Sequence, residues 1–387
     1  MAVALSHTGT EAAIGTVEVS DSRRSWIDNL RVAVIAAVIV VHVSATYAVQ
    51  MPWYYEERSA GIATQAVLSA LFGPGVFYAM AVLFLIAGML SPRSLERKGT
   101  GRFVTARLLR LGLSVVVGVW VVIPVTALIG ALAEGEANLM TAGPFLLHAA
   151  LDLDFGPMWF VAALLIFSLA YSAVRRIRPR VAPRQGPVRW WHLVAAGAAI
   201  AIGSFSIRLV WPALSVTPGH LNLWEWPTMA TLFVLGILAG ERGWLDPVPE
   251  SMRRVCGWSG IVALVAATLF FAAVAITGDD RLLGGWHLQA VVGPLIEGVL
   301  AVSVPIWLLT WFRRRWTQHG PVLRAAGRSS YAAYVFHPLV IVLIAIAFRL
   351  VPVAAEVKFV TVAGLGVLVS FTVAWLLTQI RPLRRVF

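Results

Sequence analysis

The chain has 387 residues, of which 59% are hydrophobic and only 13% charged, with a mean hydropathy of +0.80. Soluble domains carry about 25% charged residues, so a soluble globular protein is excluded and a polytopic membrane protein is expected. The formal net charge of +12 does not indicate a nucleic-acid partner, because its distribution along the chain has another cause.

Residues 1–22 are small and polar, lack the apolar core of a signal peptide, and are expected to form a disordered cytoplasmic tail. Residues 23–387 read as one transmembrane domain. Its first apolar run spans about 29–49 and the second about 72–91. Others follow at about 106–133, 157–174, 192–211, 226–240, 258–277, 287–312, 331–349 and 357–378. The expectation is an all-α protein of about ten membrane helices, most of roughly 17–25 residues. No internal repeat and no second soluble domain is visible. The one cysteine, Cys256, falls in the basic loop before the seventh run. It leaves no partner for an internal disulfide and no thiolate-based zinc site.

The charges fix an orientation. With the N-terminus placed in the cytoplasm, 26 of the 31 Lys and Arg residues fall on that side and 5 on the other. This is the positive-inside pattern, and it predicts a multi-pass cell-membrane protein with both termini cytoplasmic. The opposite face carries carboxylates (Asp152, Asp154 and Glu225 among them) together with Trp53, Tyr54, Trp211, Trp224, Trp226 and Trp286. Such aromatics suit the headgroup belt; mixed with carboxylates they also suit a sugar site.

Three ionisable groups stand out within the apolar runs: His42, Glu297 and His337. Counted from the cytoplasmic ends, His337 lies roughly 13 Å deep and the other two roughly 20 Å, in a core about 30 Å thick. Groups of this kind face protein or a water-filled cavity and commonly mark function. His42 follows Arg31 by eleven residues, about 16 Å and three helical turns, so the two share a face. A carboxylate beside a histidine holds one tautomer and stabilises imidazolium. This makes His42 the candidate general base, Glu297 its candidate carboxylate and Arg31 its partner at the cytoplasmic mouth. No Gly-x-Ser-x-Gly elbow is present, which favours direct transfer over a serine- or cysteine-bound intermediate. A packing or gating network remains the alternative, more so for His337 than for His42.

The segment Asp28-Asn29-Leu30-Arg31, ten residues, then His42 resembles the Arg-x10-His signature of the acyltransferase 3 family of membrane O-acyltransferases. Four further blocks agree in order. Residues 83–91 are similar to the family's Ser-Gly-Phe segment, with Ala87-Gly88 in place of Ser-Gly. Residues 107–111 (Arg-Leu-Leu-Arg-Leu) resemble its basic segment. Residues 156–164 resemble the block around Trp159. Residues 326–338 resemble the Gly-Arg-x-Ser-Tyr…His block, which supplies Arg328, Tyr331 and His337.

The resemblance implies an O-acyltransferase of the acyl-CoA class. It would take an acetyl or other short acyl group from cytoplasmic acyl-CoA and deliver it to a hydroxyl of a carbohydrate, glucan or secondary-metabolite acceptor, as in O-acetylation of cell-envelope polysaccharide. Acyl-CoA is then a co-substrate, with no tightly bound cofactor or metal expected. Arg31, Arg107, Arg110 and Arg328 suit the CoA phosphates. Asp28, Trp159, Tyr331 and His337 are the remaining binding candidates, His337 in a supporting role. The rival reading is a proton-coupled transporter or flippase. Carriers often show inverted repeats and broken helices, and the sequence displays neither.

Overall fold

The computed structural model describes residues 8–47, 53–57, 61–178, 186–244, 248–317 and 320–386. Among these residues there is no β-strand. Ten stretches are long and apolar enough to cross a membrane: α1 (Ser25–Tyr47), α2 (Ile62–Lys98), α3 (Thr100–Glu134), α4 (Ala142–Ile177), α5 (Trp190–Arg208), α6 (Leu223–Arg242), α7 (Glu250–Thr277), α8 (Leu288–Arg315), α9 (Pro321–Phe348) and α10 (Ala355–Gln379). Each expected apolar run overlaps one of them, and the ends differ. The reason is general: hydrocarbon offers no partner to a backbone amide, so a spanning segment must satisfy its own backbone, and the helix does so. Residues 1–7 of the expected tail lie outside the described residues, and the helix of α1 begins upstream of the span, at Thr8.

α1 sits among α9, α10, α8 and α2, and its apolar side chains, from Leu30 through Ile39 to Val43, join the main buried cluster. At one end of the bundle the Asn29 amide donates to the Trp316 carbonyl at 2.8 Å. At the other end Lys358 pairs with Glu57 at 2.6 Å and donates to the Arg349 carbonyl. Large apolar side chains left uncovered, such as Val262, Leu269 and Leu368, give the bundle its lipid-facing surface.

Several spans are not straight helices. α2 breaks at Gly73 and Pro74, α4 is interrupted between Leu151 and Gly156, and α6 opens with a 3-10 turn at Leu223–Glu225. α3 contains π turns at Leu108–Gly112 and Gly118–Val122. The sequence reading of unbroken spans is therefore corrected, and broken helices no longer separate an enzyme from a carrier. Cys256 is also relocated: it is buried within α7, which starts at Glu250, rather than in a loop.

α2 and α6 pack with their backbones in contact. A Cβ on Gly88 would run into the Phe233 carbonyl oxygen, one on Gly236 into that of Leu85, and one on Gly240 into that of Met89. Gly236 and Gly240 are four apart, the small-xxx-small spacing that lets membrane helices approach closely. Gly88 thus has a packing role, in the block where the sequence departs from the family's Ser-Gly. Gly236→Leu is expected to abolish the folded protein, read as loss of the monodisperse peak in detergent size-exclusion. A normal peak would show that the interface can shift to take the side chain.

Candidate active site

The breaks in α2, α4 and α6 adjoin a cavity of about 400 Å³, within the size range of ligand sites. Its wall is built from the C-terminal half of α1, the Trp53–Tyr54 segment, the interruption in α4, residues 214–222 and the opening turn of α6. Irregular backbone at membrane depth is tolerated where it lines such a space. Three non-glycine residues on this wall, Leu214, His220 and Asn222, have φ values of 64°, 53° and 46°. Left-handed backbone of this kind costs of order 1–3 kcal/mol and clusters at functional sites.

His42 lines the cavity. Its Nδ1 lies 2.8 Å from the Val38 carbonyl oxygen, one turn back on the same helix. A carbonyl only accepts, so Nδ1 carries the proton and Nε2 keeps the lone pair. The ring lies 5.0 Å from that of Trp53 and 4.9 Å from that of His337, centroid to centroid. His337 is fully buried, its Nδ1 is bonded to the Tyr334 carbonyl, and its Nε2 has no partner among the described residues. Two imidazoles with the same tautomer thus stand edge to face, one lining the cavity and one packed beside it. Trp159 and Tyr334 complete this part of the wall, the Tyr334 hydroxyl donating to the Pro157 carbonyl.

Glu297 is not where the sequence reading put it. Its Oε2 meets Arg208 Nη2 at 2.5 Å, its Oε1 accepts from the Thr228 hydroxyl at 2.5 Å, and both charged side chains are about 1% exposed. The expected His42–Glu297 pair does not form. The reason is Arg208: a buried carboxylate requires a cation, and α5 supplies one at its last residue. Arg208, one of the five Lys and Arg residues on the side opposite the basic face, is buried, its guanidinium 5.5 Å from the ring centroids of Phe77 and Trp224.

Near the start of α1, Arg31 pairs with Asp28 at 3.6 Å. The charge of Arg110 acts on both Arg31 and Arg107, and that of Arg31 on Arg107. Arg107 donates to Ser91 at 3.2 Å. Arg110 lies over the Tyr331 ring at 5.2 Å, and the Tyr331 hydroxyl donates to the Arg110 carbonyl at 3.2 Å. Arg110 belongs to the first π turn of α3, a feature frequent at functional sites. The candidates Asp28, Arg31, Arg107, Arg110 and Tyr331 are therefore brought together, three guanidiniums acting on one another with Arg31 paired to Asp28. Arg328 is not among them: it is exposed on α9 and makes none of these contacts. The neighbouring Gly327 lets α9 close on α1, where a Cβ would press on Asp28.

The sequence places Trp53, Tyr54, Trp224, Asp152, Asp154 and Glu225 on one face and favours the headgroup belt over a site for the aromatics. They line the cavity, whereas Trp286 is 83% exposed. His220, Tyr334 and Arg208 were missed. Asp154 organises the mouth: its Oδ1 accepts from the Gly156 amide at 2.7 Å and lies 2.8 Å from His220 Nδ1, while Tyr54 donates to Oδ2 at 3.4 Å. The bond to Asp154 raises the pKa of His220 above the usual imidazole value, and burial beside this carboxylate raises that of the Tyr54 phenol well above its own.

A bundle of ten apolar helices, with the imidazole of His42 at a lined cavity and Arg31 of the guanidinium cluster about three turns away on the same helix, defines a polytopic membrane protein. The family model described as an acyltransferase domain, of the acyltransferase 3 type, matches residues 24–379. The chain belongs to that family, nearly from end to end. No curated protein and no solved structure matches it.

Proposed function

We propose that the protein is an O-acyltransferase that takes a short acyl group from cytoplasmic acyl-CoA and passes it to a hydroxyl of an acceptor held in the cavity over His42. The observation that carries this reading is the pairing on α1. Arg31 sits in the guanidinium cluster and His42 lines the cavity with its Nε2 lone pair available, eleven residues and about 16 Å apart, close to one face of one helix. CoA is polyanionic, and arginine binds phosphate bidentately. The excess of Lys and Arg on that face argues that it is cytoplasmic.

In the reaction, His42 Nε2 takes the proton of the acceptor hydroxyl as the oxygen attacks the thioester carbonyl. The C–S bond breaks, the CoA thiolate leaves, and the proton on His42 neutralises it. The acyl group ends as an ester on the acceptor. Nδ1–H bonded to the Val38 carbonyl keeps the imidazole oriented and supports it when it is charged. His337 packs against the base and limits its rotation. Glu297 stabilises the cavity wall and takes no part in proton transfer.

The test uses purified protein in detergent with radiolabelled acetyl-CoA. Arg107→Ala and Arg110→Ala are expected to raise KM for acetyl-CoA, each lost charge-assisted contact costing about 1.5–3 kcal/mol, while KM for the acceptor stays put. An unchanged KM for acetyl-CoA in the double variant would make these arginines membrane anchors only.

A further inference from the structure

The cavity has a charge pattern that the transfer chemistry does not require. Its lining contains three carboxyl side chains, Asp152, Asp154 and Glu225, and three histidines, but no lysine or arginine. The nearest cations are committed: Arg208, behind the lining, to Glu297, and His220, within it and when protonated, to Asp154. An anionic molecule entering here would lose hydration and meet no uncompensated positive charge. This holds whether Glu225 is ionised or neutral, since neither state is a cation.

Glu225 and Trp224 lie side by side on the opening turn of α6. Glu225 is 5% exposed and Trp224 2% exposed, and both line the cavity. Glu225 Oε2 and Trp224 Nε1 have no hydrogen-bond partner among the described residues. Buried polar groups are ordinarily bonded, so each of these two atoms, an acceptor and a donor on neighbouring residues of the cavity wall, calls for a partner. A hydroxyl can serve either one, donating to the carboxyl oxygen or accepting from the indole N–H. The rings of Trp53 and Trp159, on the same wall, offer flat apolar surface for the C–H face of a sugar.

We infer that Glu225 and Trp224 bind a hydroxyl of the acceptor other than the one acylated, and that the acceptor is a glycoside without anionic groups. This rests on the transferase reading above. Glu225 is thereby a binding residue that leaves the reacting hydroxyl to His42, and the Arg208–Glu297 pair behind it acts as a positioning element.

The experiment compares three probes that differ in one substituent: p-nitrophenyl β-glucoside, the corresponding 2-amino-2-deoxyglucoside and the glucuronide. Each is incubated with purified wild-type protein and radiolabelled acetyl-CoA, and labelled ester is counted. The glucoside and its amino analogue are expected to be acylated at least about tenfold more efficiently than the glucuronide. Glu225→Gln is expected to raise KM for the glucoside by about tenfold, with KM for acetyl-CoA unchanged. Equal use of the glucuronide, or an unchanged glucoside KM in folded Glu225→Gln, overturns the inference. So does acetyl-CoA turnover that depends on His42 but yields no acylated glycoside, an outcome that leaves the transferase reading standing. Absence of any His42-dependent turnover removes both. Should Glu225→Gln not fold, the wild-type comparison of glucoside with glucuronide decides.

Discussion

His42→Ala and His42→Gln are each expected to lower acyl transfer by about 10²–10⁴-fold, the usual contribution of a general base, while the protein stays inserted and folded. The glutamine variant is the sharper of the two. Its amide can take over a hydrogen bond to the Val38 carbonyl but cannot accept a proton at neutral pH. A residue needed only for packing beside Trp53 and His337 would tolerate glutamine; a base would not. Acyl-CoA affinity should survive in both, because the contacts of Arg31, Arg107 and Arg110 lie about three turns away along α1. Single-turnover measurement with bound donor separates the two effects: the chemical step slows and the donor Kd is unchanged. His337→Ala should give a smaller loss, since His337 is packed behind the base and does not line the cavity. Near wild-type transfer by His42→Gln would falsify the base assignment and return a proton-coupled carrier to first place.

The fold was legible because hydrocarbon imposes it. Ten apolar runs of spanning length leave little choice but ten helices, and each is present. The guanidinium cluster was legible for a related reason: the Arg31–His42 spacing and the block order placed Asp28, Arg107, Arg110 and Tyr331 at the same end of neighbouring helices. What the sequence could not supply was rotation about the helix axis and local breaks. Glu297 and His42 have similar calculated depths, so depth alone made them partners, yet Glu297 turns toward α5 and α6, where Arg208 and Thr228 meet it. Arg208 closes a span and so read as an outward charge. The interruption in α4 and the 3-10 opening of α6 have no strong sequence mark, and they carry Asp154, Trp224 and Glu225 into the cavity. Arg328 went astray for the opposite reason: its motif placed it correctly along α9 and its helical phase points it out of the cluster.

The relocation of Glu297 leads to an asymmetric expectation for stability. Removing one partner of a buried ion pair costs about 3–5 kcal/mol, because it strands the other charge. Arg208→Met should show this in full, leaving Glu297 buried with no cation beside it. Glu297→Gln should cost less. The amide can still bond Thr228 and Arg208. Replacing both, Arg208→Met with Glu297→Leu, should recover most of the loss, since apolar substitutes for a buried pair are often neutral or stabilising. The chain reports its own unfolding: Cys256 is its one cysteine and is 3% exposed, so a thiol-reactive fluorophore labels it only as the bundle opens. At one heating rate the midpoints should fall in the order wild type, Glu297→Gln, Arg208→Met, with the double variant above Arg208→Met. Transfer by Glu297→Gln at temperatures where it is folded should remain close to wild type. A Glu297→Gln protein that melts normally, binds donor normally and has lost acyl transfer would instead put this carboxylate back in the proton path, through the acceptor rather than through His42.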